Sequence, residues 1–178
     1  GTFDELFECL TLIQSGRTPP IPLVLLAPDG DPYWRHWKEH LQSSLAARGL
    51  ISPEDLDLII EAGSAEEAVA CIRRFYRVFH RARLGEQPME LLLHAPIPSP
   101  ILNDLNHRFA DMLSDGVIHA GESVDDAGLI YPCLKLRLDR RRVGRLYQFI
   151  DALNSLDLPA SAALDRPGAR RLHPNGKA

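Results

Sequence analysis

No stretch of the 178-residue chain is apolar over the roughly 20 residues that a membrane-spanning helix needs. No signal peptide opens it. Cysteine is scarce, and Cys9, Cys71 and Cys133 are scattered and odd in number. That argues against a disulfide framework or a zinc site and for free thiols in a reducing compartment. Charge of either sign is not in excess: the net value of −4 offers no basic footprint for nucleic acid or an anionic membrane. A phosphate-binding loop of the Walker type, a paired-cysteine motif and a Ser-His-Asp arrangement are all missing. Gly121 and Gly128 sit in an acidic loop without phosphate-binding spacing. The expectation is a cytoplasmic protein with neither nucleic acid nor membrane as partner. With 45% apolar and 25% charged residues, the chain has the composition of an ordinary globular protein with one or two cores.

What is present is most informative at the start. Phe3, Leu6, Phe7, Leu10 and Ile13 recur at helical spacing and predict an amphipathic helix. Gly1 and Thr2 stand at its N-terminus, where unpaired N–H groups and the helix dipole favour an anion. Glu5 falls one turn in, off the apolar stripe. A helix start that holds a phosphate, with a carboxylate one turn on, is suited to grip a sugar phosphate from two sides. A first-turn Glu also serves as simple capping.

The run Gly1-Thr2-Phe3-Asp4-Glu5, followed by Leu10-Thr11-Leu12-Ile13-Gln14-Ser15-Gly16, resembles the second half of the Pro-Gly-Gly-x-Gly-Thr-x-x-Glu signature of the LOG family. These are cytokinin riboside 5′-monophosphate phosphoribohydrolases and related nucleotide nucleosidases, often mislabelled lysine decarboxylases. Tyr33-Trp34 opening a helix, and Gly49-Leu50-Ile51-Ser52-Pro53, continue the resemblance, which covers roughly the first 80 residues, about a half-domain. The Pro-Gly-Gly half is absent, and so are the strands and the active-site arginine that the family keeps upstream. The chain, which has no initiator Met, therefore reads as a C-terminal fragment, expected to have little activity alone.

The resemblance implies hydrolysis of the N-glycosidic bond of a nucleoside 5′-monophosphate, releasing free base and ribose 5-phosphate. Gly1 and Thr2 would bind the phosphate. Glu5 would hold the ribose hydroxyls and stabilise positive charge growing on the sugar ring. No cofactor is called for. The substrate is the expected partner, with a homodimer or larger homo-oligomer as the assembly. The alternative is a non-catalytic carrier of a nucleotide or of molybdenum cofactor.

Further along, residues 21–27 form an apolar run expected of a strand buried on both faces of a parallel sheet. Asp31-Pro32 starts a helix whose buried stripe is Trp34, Trp37, Leu41 and Leu45. Ser52-Pro53 opens a short turn, and residues 56–62 read as a strand. Ser64 to Glu67 is a capping box for a helix with the stripe Ala65, Val69, Ile72, Tyr76 and Phe79. Alternating strand and helix predict an α/β fold, the second half of a Rossmann-like parallel-sheet domain over residues 1–85. From residue 86 the rhythm changes. A strand over 89–95, a helix from Ser99 to Gly116, strands at 117–120 and 134–138 and a helix after Asp139 predict a small α+β domain over 86–156. Its order, β-α-β-β-α, is ferredoxin-like. Residues 157–178 lack periodicity and read as a disordered tail.

Other candidates reduce to plainer readings. His36 and His40 lie one turn apart but lack a third ligand, so no metal site is expected. Arg73, Arg74, Arg77, His80, Arg81 and Arg83 read as a basic helix C-terminus, and Arg140, Arg141, Arg142 and Arg145 as an exposed charged turn. Residues 86–156 could also act as a regulatory module for a small ligand.

Overall fold

The computed structural model describes residues 1–83 and 88–158, with the backbone of residues 170 and 171. Leu6, Leu10 and Ile13 are buried along one side of α1 (Thr2–Gln14). Beyond it Gly16, at φ 65°, turns the chain back, and the N–H groups of Gly16 and Arg17 close on the carbonyls of Ile13 and Leu12. There follow β1 (Leu23–Leu26), α2 (Tyr33–Ser44), a 3₁₀ turn over Pro53–Leu58, β2 (Ile59–Ala62) and α3 (Ala65–Phe75). β1 and β2 pair in parallel, Leu23 opposite Ile59 and Leu26 opposite Ala62. The alternation read from the sequence is present.

Two details differ. β1 is not buried on both faces: Leu25 is buried, while Leu26 is 50% exposed. Among the described residues β1 pairs with β2 alone, which leaves its second edge uncovered. The stripe from Ala65 to Phe79 is not one helical face either. α3 stops at Phe75, and Phe79, fully buried, opens β3 (Phe79–Arg83), leaving Val69 and Ile72 on the exposed side of α3. A side chain from far along the sequence makes that break. Asn154 Oδ1 accepts the N–H groups of Val78 and Phe79 at 2.7 and 3.1 Å, and its Nδ2 donates to the Phe75 carbonyl.

β3 starts a second, antiparallel sheet with β4 (Met89–Leu93), β5 (Leu113–Val124) and β6 (Leu129–Leu138), in the order β3-β4-β6-β5. α4 (Ser99–Arg108) joins β4 to β5, and α5 (Val143–Ser155) follows β6. The run β4-α4-β5-β6-α5 is the β-α-β-β-α order expected. A ferredoxin-like sheet places its last strand beside its first; here β3 fills that position from ahead of the unit. β7 (Arg170–Arg171) pairs with Leu129 and Ile130. Gly116 does not end α4, which stops at Arg108. At φ 70° it lies inside β5, where pairing to β6 shifts register between Asp115 and His119. The expected boundary between residues 85 and 86 falls within 84–87, outside the described residues, as does most of 157–178.

One continuous core runs from Leu6 and Ile13 through Leu58, Phe75 and Phe79 to Leu91, Leu136 and Phe149. α5 is its axis, burying residues from Val143 to Asn154. Its Tyr147 hydroxyl donates to the Ile21 carbonyl at 2.9 Å and accepts the Ile21 N–H at 3.1 Å, tying the approach to β1 onto the helix. Burial pushes that phenol far above its ordinary value, so it stays a neutral donor. No helix among the described residues is long and apolar enough to cross a membrane.

Candidate active site at the carboxyl edge of the parallel strands

Trp34, on the first turn of α2, donates its indole N–H to the carbonyl of Leu26, the last residue of β1, at 3.2 Å. The start of α2 is thereby pinned to the carboxyl end of that strand. Phe3, on the first turn of α1, packs edge-on against Trp34, with ring centroids 5.8 Å apart at 81°, and sits equally close to Tyr33 and Trp37. This aromatic packing brings the N-terminus of α1 to the edge where ligands of open α/β sheets bind. The burial of Trp34 is readable from helical spacing. Its contact with Phe3 is not, although Phe3 and residues 33, 34 and 37 are aromatics at two helix starts.

Gly1, Thr2 and Glu5 are brought together there, and all three are exposed. Asp4 and Glu5 give the first N–H groups bonded within the helix, both to the Gly1 carbonyl, at 2.8 and 3.2 Å. The N–H groups ahead of them are the orphan donors of a helix start, and no side chain caps them. Glu5 folds back over this end: a β-carbon added at Gly1 would lie 3.6 and 3.7 Å from its two carboxylate oxygens. The helix start thus pairs open N–H donors with a carboxylate that makes no ion pair among the described residues. Asp4, 93% exposed, and Glu8 form the solvated first-turn face expected of them.

The other groups of this edge are tied up. Asp31 accepts the Tyr33 N–H at 2.9 Å, and Ser64 caps α3 by accepting the Glu67 N–H at 3.1 Å. The reciprocal half of that capping box shifts by one residue, since Glu67 accepts from the N–H of Gly63 at 2.7 Å. Asp29 stands beside Gly63, its Oδ1 lying 3.2 Å from where a β-carbon would be. Tyr33 leaves an aromatic face 49% exposed.

The remaining candidates are structural. His36 and His40 are exposed, and no group of metal-ligating side chains occurs among the described residues. Of the basic run, Arg73 and Arg74 do lie in the last turn of α3, while Arg77 follows in the turn and His80, Arg81 and Arg83 belong to β3. Arg74 pairs with Asp151, Arg81 with Asp126 at 2.9 Å, and Arg77 reaches the carbonyls of Asn154 and Leu156. Arg145 is bound by Asp111 at 2.9 Å and lies 4.7 Å from the Phe109 ring centroid. Its hydrogen bond holds the Asp111 carboxyl below the usual carboxylate range. Arg141 turns back onto Asp139, whose pKa falls to about 2 chiefly through that hydrogen bond.

The fold and this edge define an α/β protein with an anion-ready helix start at the carboxyl end of parallel strands. Residues 1–72 match the family model described as “possible lysine decarboxylase”. That match over the opening of the chain is consistent with the LOG-family resemblance of its motif. No curated protein and no solved structure matches the chain.

Proposed function

We propose that the protein is a nucleotide nucleosidase, hydrolysing the N-glycosidic bond of nucleoside 5′-monophosphates to free base and ribose 5-phosphate. One observation carries this reading. Within the family-matched segment, the Gly1-Thr2 helix start and the Glu5 carboxylate share one end of α1, at the carboxyl edge of the parallel strands. The orphan N–H groups of that start and the Thr2 hydroxyl bind the 5′-phosphate, which the helix dipole favours. Glu5 then lies one turn along, on the ribose. As the bond to the base breaks, positive charge grows on the sugar ring, and a carboxylate fixed beside it lowers the barrier more than it stabilises the neutral ground state. The exposed Tyr33 ring offers a surface on which a planar base stacks. Two copies of the chain, meeting over the exposed Phe7 side of α1, complete the reading.

The test is release of free base from a panel of nucleoside 5′-monophosphates by the natural full-length protein and by its Glu5→Ala variant. Release that disappears with the glutamate supports the proposal and ranks the bases. Tight nucleotide binding with no release from any member of the panel overturns it in favour of a carrier.

A further inference from the structure

Behind the parallel pair, away from Gly1, Thr2 and Glu5, a cavity of about 380 Å³ opens between β2, α3 and α5. Its size falls within the range of small-molecule sites, roughly 300–1,000 Å³. The walls are apolar and partly aromatic: Ile60 on one side, and the Phe75 and Tyr147 rings with centroids 5.9 Å apart. The polar groups at its rim are mostly engaged already. The Tyr147 hydroxyl and the Asn154 amide are already occupied by backbone, as described above. What remains is Asp57, Gln148, Asp151 and Arg74: the Gln148 amide donates to Asp57 Oδ2 at 2.5 Å, which leaves Asp57 Oδ1 open, and the Arg74 guanidinium is held by Asp151 at 2.9 Å. Two carboxylates against one engaged cation leave acceptors with a negative balance. Such a rim takes N–H donors and repels a phosphate.

We propose that this cavity binds an uncharged, planar nitrogen heterocycle bearing amino donors, of the nucleobase class, and rejects its phosphorylated form. The choice of a nucleobase rests on the nucleosidase reading, which releases a free base at the other site. The preference for an uncharged donor-bearing ring rests on the cavity alone. Bound there, a base would wedge between the parallel-strand half and α5, the helix to which the second sheet is packed. It would act as a product sensor separate from the reaction centre.

The cavity carries its own reporter, because Cys71 lines it with a half-buried thiol while Cys133 is buried. In a Cys9→Ser background, the rate of Cys71 alkylation by iodoacetamide is measured against adenine, unsubstituted purine and adenosine 5′-monophosphate. Adenine is expected to slow alkylation in a saturable way, purine less, and the nucleotide not at all. Asp57→Asn is expected to weaken adenine about tenfold, the loss of one charged hydrogen bond. Asp151→Asn frees Arg74 and is expected to let the nucleotide protect. Both positions are polar, and Asp151 is 63% exposed, so these variants leave the core intact. Protection of Cys71 by the nucleotide as strong as by adenine in the unsubstituted background overturns the proposal, as does no protection by adenine at all. The readout needs no turnover, so a failed nucleosidase assay and a failed cavity are separate results.

Discussion

Gly144 on α5 lies against the backbone carbonyl of Glu54, in the 3₁₀ turn that leads into β2, with no space between them for a side chain. A β-carbon added at Gly144 would overlap that carbonyl and come within 2.8 Å of the Asp55 nitrogen. Backbone meets backbone there, and neither side has a flexible end to move aside. The contact joins the parallel-strand half to the helix that carries the second sheet.

The substitution Gly144→Ala is therefore expected to destabilise, although alanine is the better helix former by about 1 kcal/mol. Overpacking against rigid backbone costs about 1–3 kcal/mol and outweighs the gain in propensity. Urea unfolding of the two proteins gives the sign directly. A higher midpoint for the alanine variant would mean that α5 and the turn are not in contact.

Asn154 makes the second expectation. It is buried to 3% exposure and supplies both an acceptor to Val78 and Phe79 and a donor to Phe75. Asn154→Ala leaves those backbone groups buried without partners, at about 1–3 kcal/mol each. Asn154→Asp keeps the acceptor but sets an oxygen against the Phe75 carbonyl, so it is expected to be nearly as damaging. Chemical denaturation of both variants checks this, and an aspartate variant as stable as the parent would refute the donor half.

These two contacts show where the sequence stops being informative. Local spacing is enough to place α1, α2 and α5, because each buries a stripe that recurs at helical period. It also places the Gly1-Thr2-Glu5 constellation, since those residues are neighbours on one helix start. The break after Phe75 has no local signal: Tyr76 and Phe79 extend the helical stripe, and the amide that ends the helix comes from residue 154. The burial of β1 fails as a reading for a related reason. An all-apolar strand is equally consistent with two covered faces and with an uncovered edge, and only pairing distinguishes them. The cavity beside Cys71 is assembled from three distant segments, so nothing in any one of them announces it.

A pH dependence follows from His80 and His94, whose ring centroids lie 4.8 Å apart on the second sheet, with Tyr131 stacked on His80 at 4.6 Å. Burial lowers the pKa of both below the ordinary 6.5; the charge of Arg81 adds to this at His80, and that of His80 at His94. Both rings thus take up a proton less readily in the fold than in the unfolded chain, which protonates them near 6.5. The unfolded state binds more protons below that value, so stability is full above pH 6.5 and falls as pH drops below it. Glu90 and Asp111, held below their ordinary values of 4.5 and 3.8, act only in more acid solution. His94→Leu is expected to flatten the limb below pH 6.5 without loss in mild alkali, because His94 Nδ1 is buried with no hydrogen-bond partner among the described residues. Unfolding midpoints measured across that window decide it, and an unchanged slope would place the titration elsewhere.

Thr2 and Glu5 divide the proposed reaction between binding and chemistry, and their variants should separate accordingly. On that proposal Glu5 meets charge that exists only in the transition state and Thr2 meets the phosphate, so Glu5→Gln is expected to lower kcat about 100- to 1,000-fold with little change in KM. The phosphate is equally charged before and during the reaction. Thr2→Val is therefore expected to raise KM several-fold, by about 1 kcal/mol for one hydrogen bond, and to leave kcat near the parent value. Both side chains are exposed, so neither change should move the unfolding midpoint by more than about 0.5 kcal/mol. Steady-state base release with each variant, beside a denaturation curve, reads all of these together. A Glu5→Gln protein that loses only affinity would reduce the carboxylate to a ribose contact and leave the oxocarbenium charge to another group.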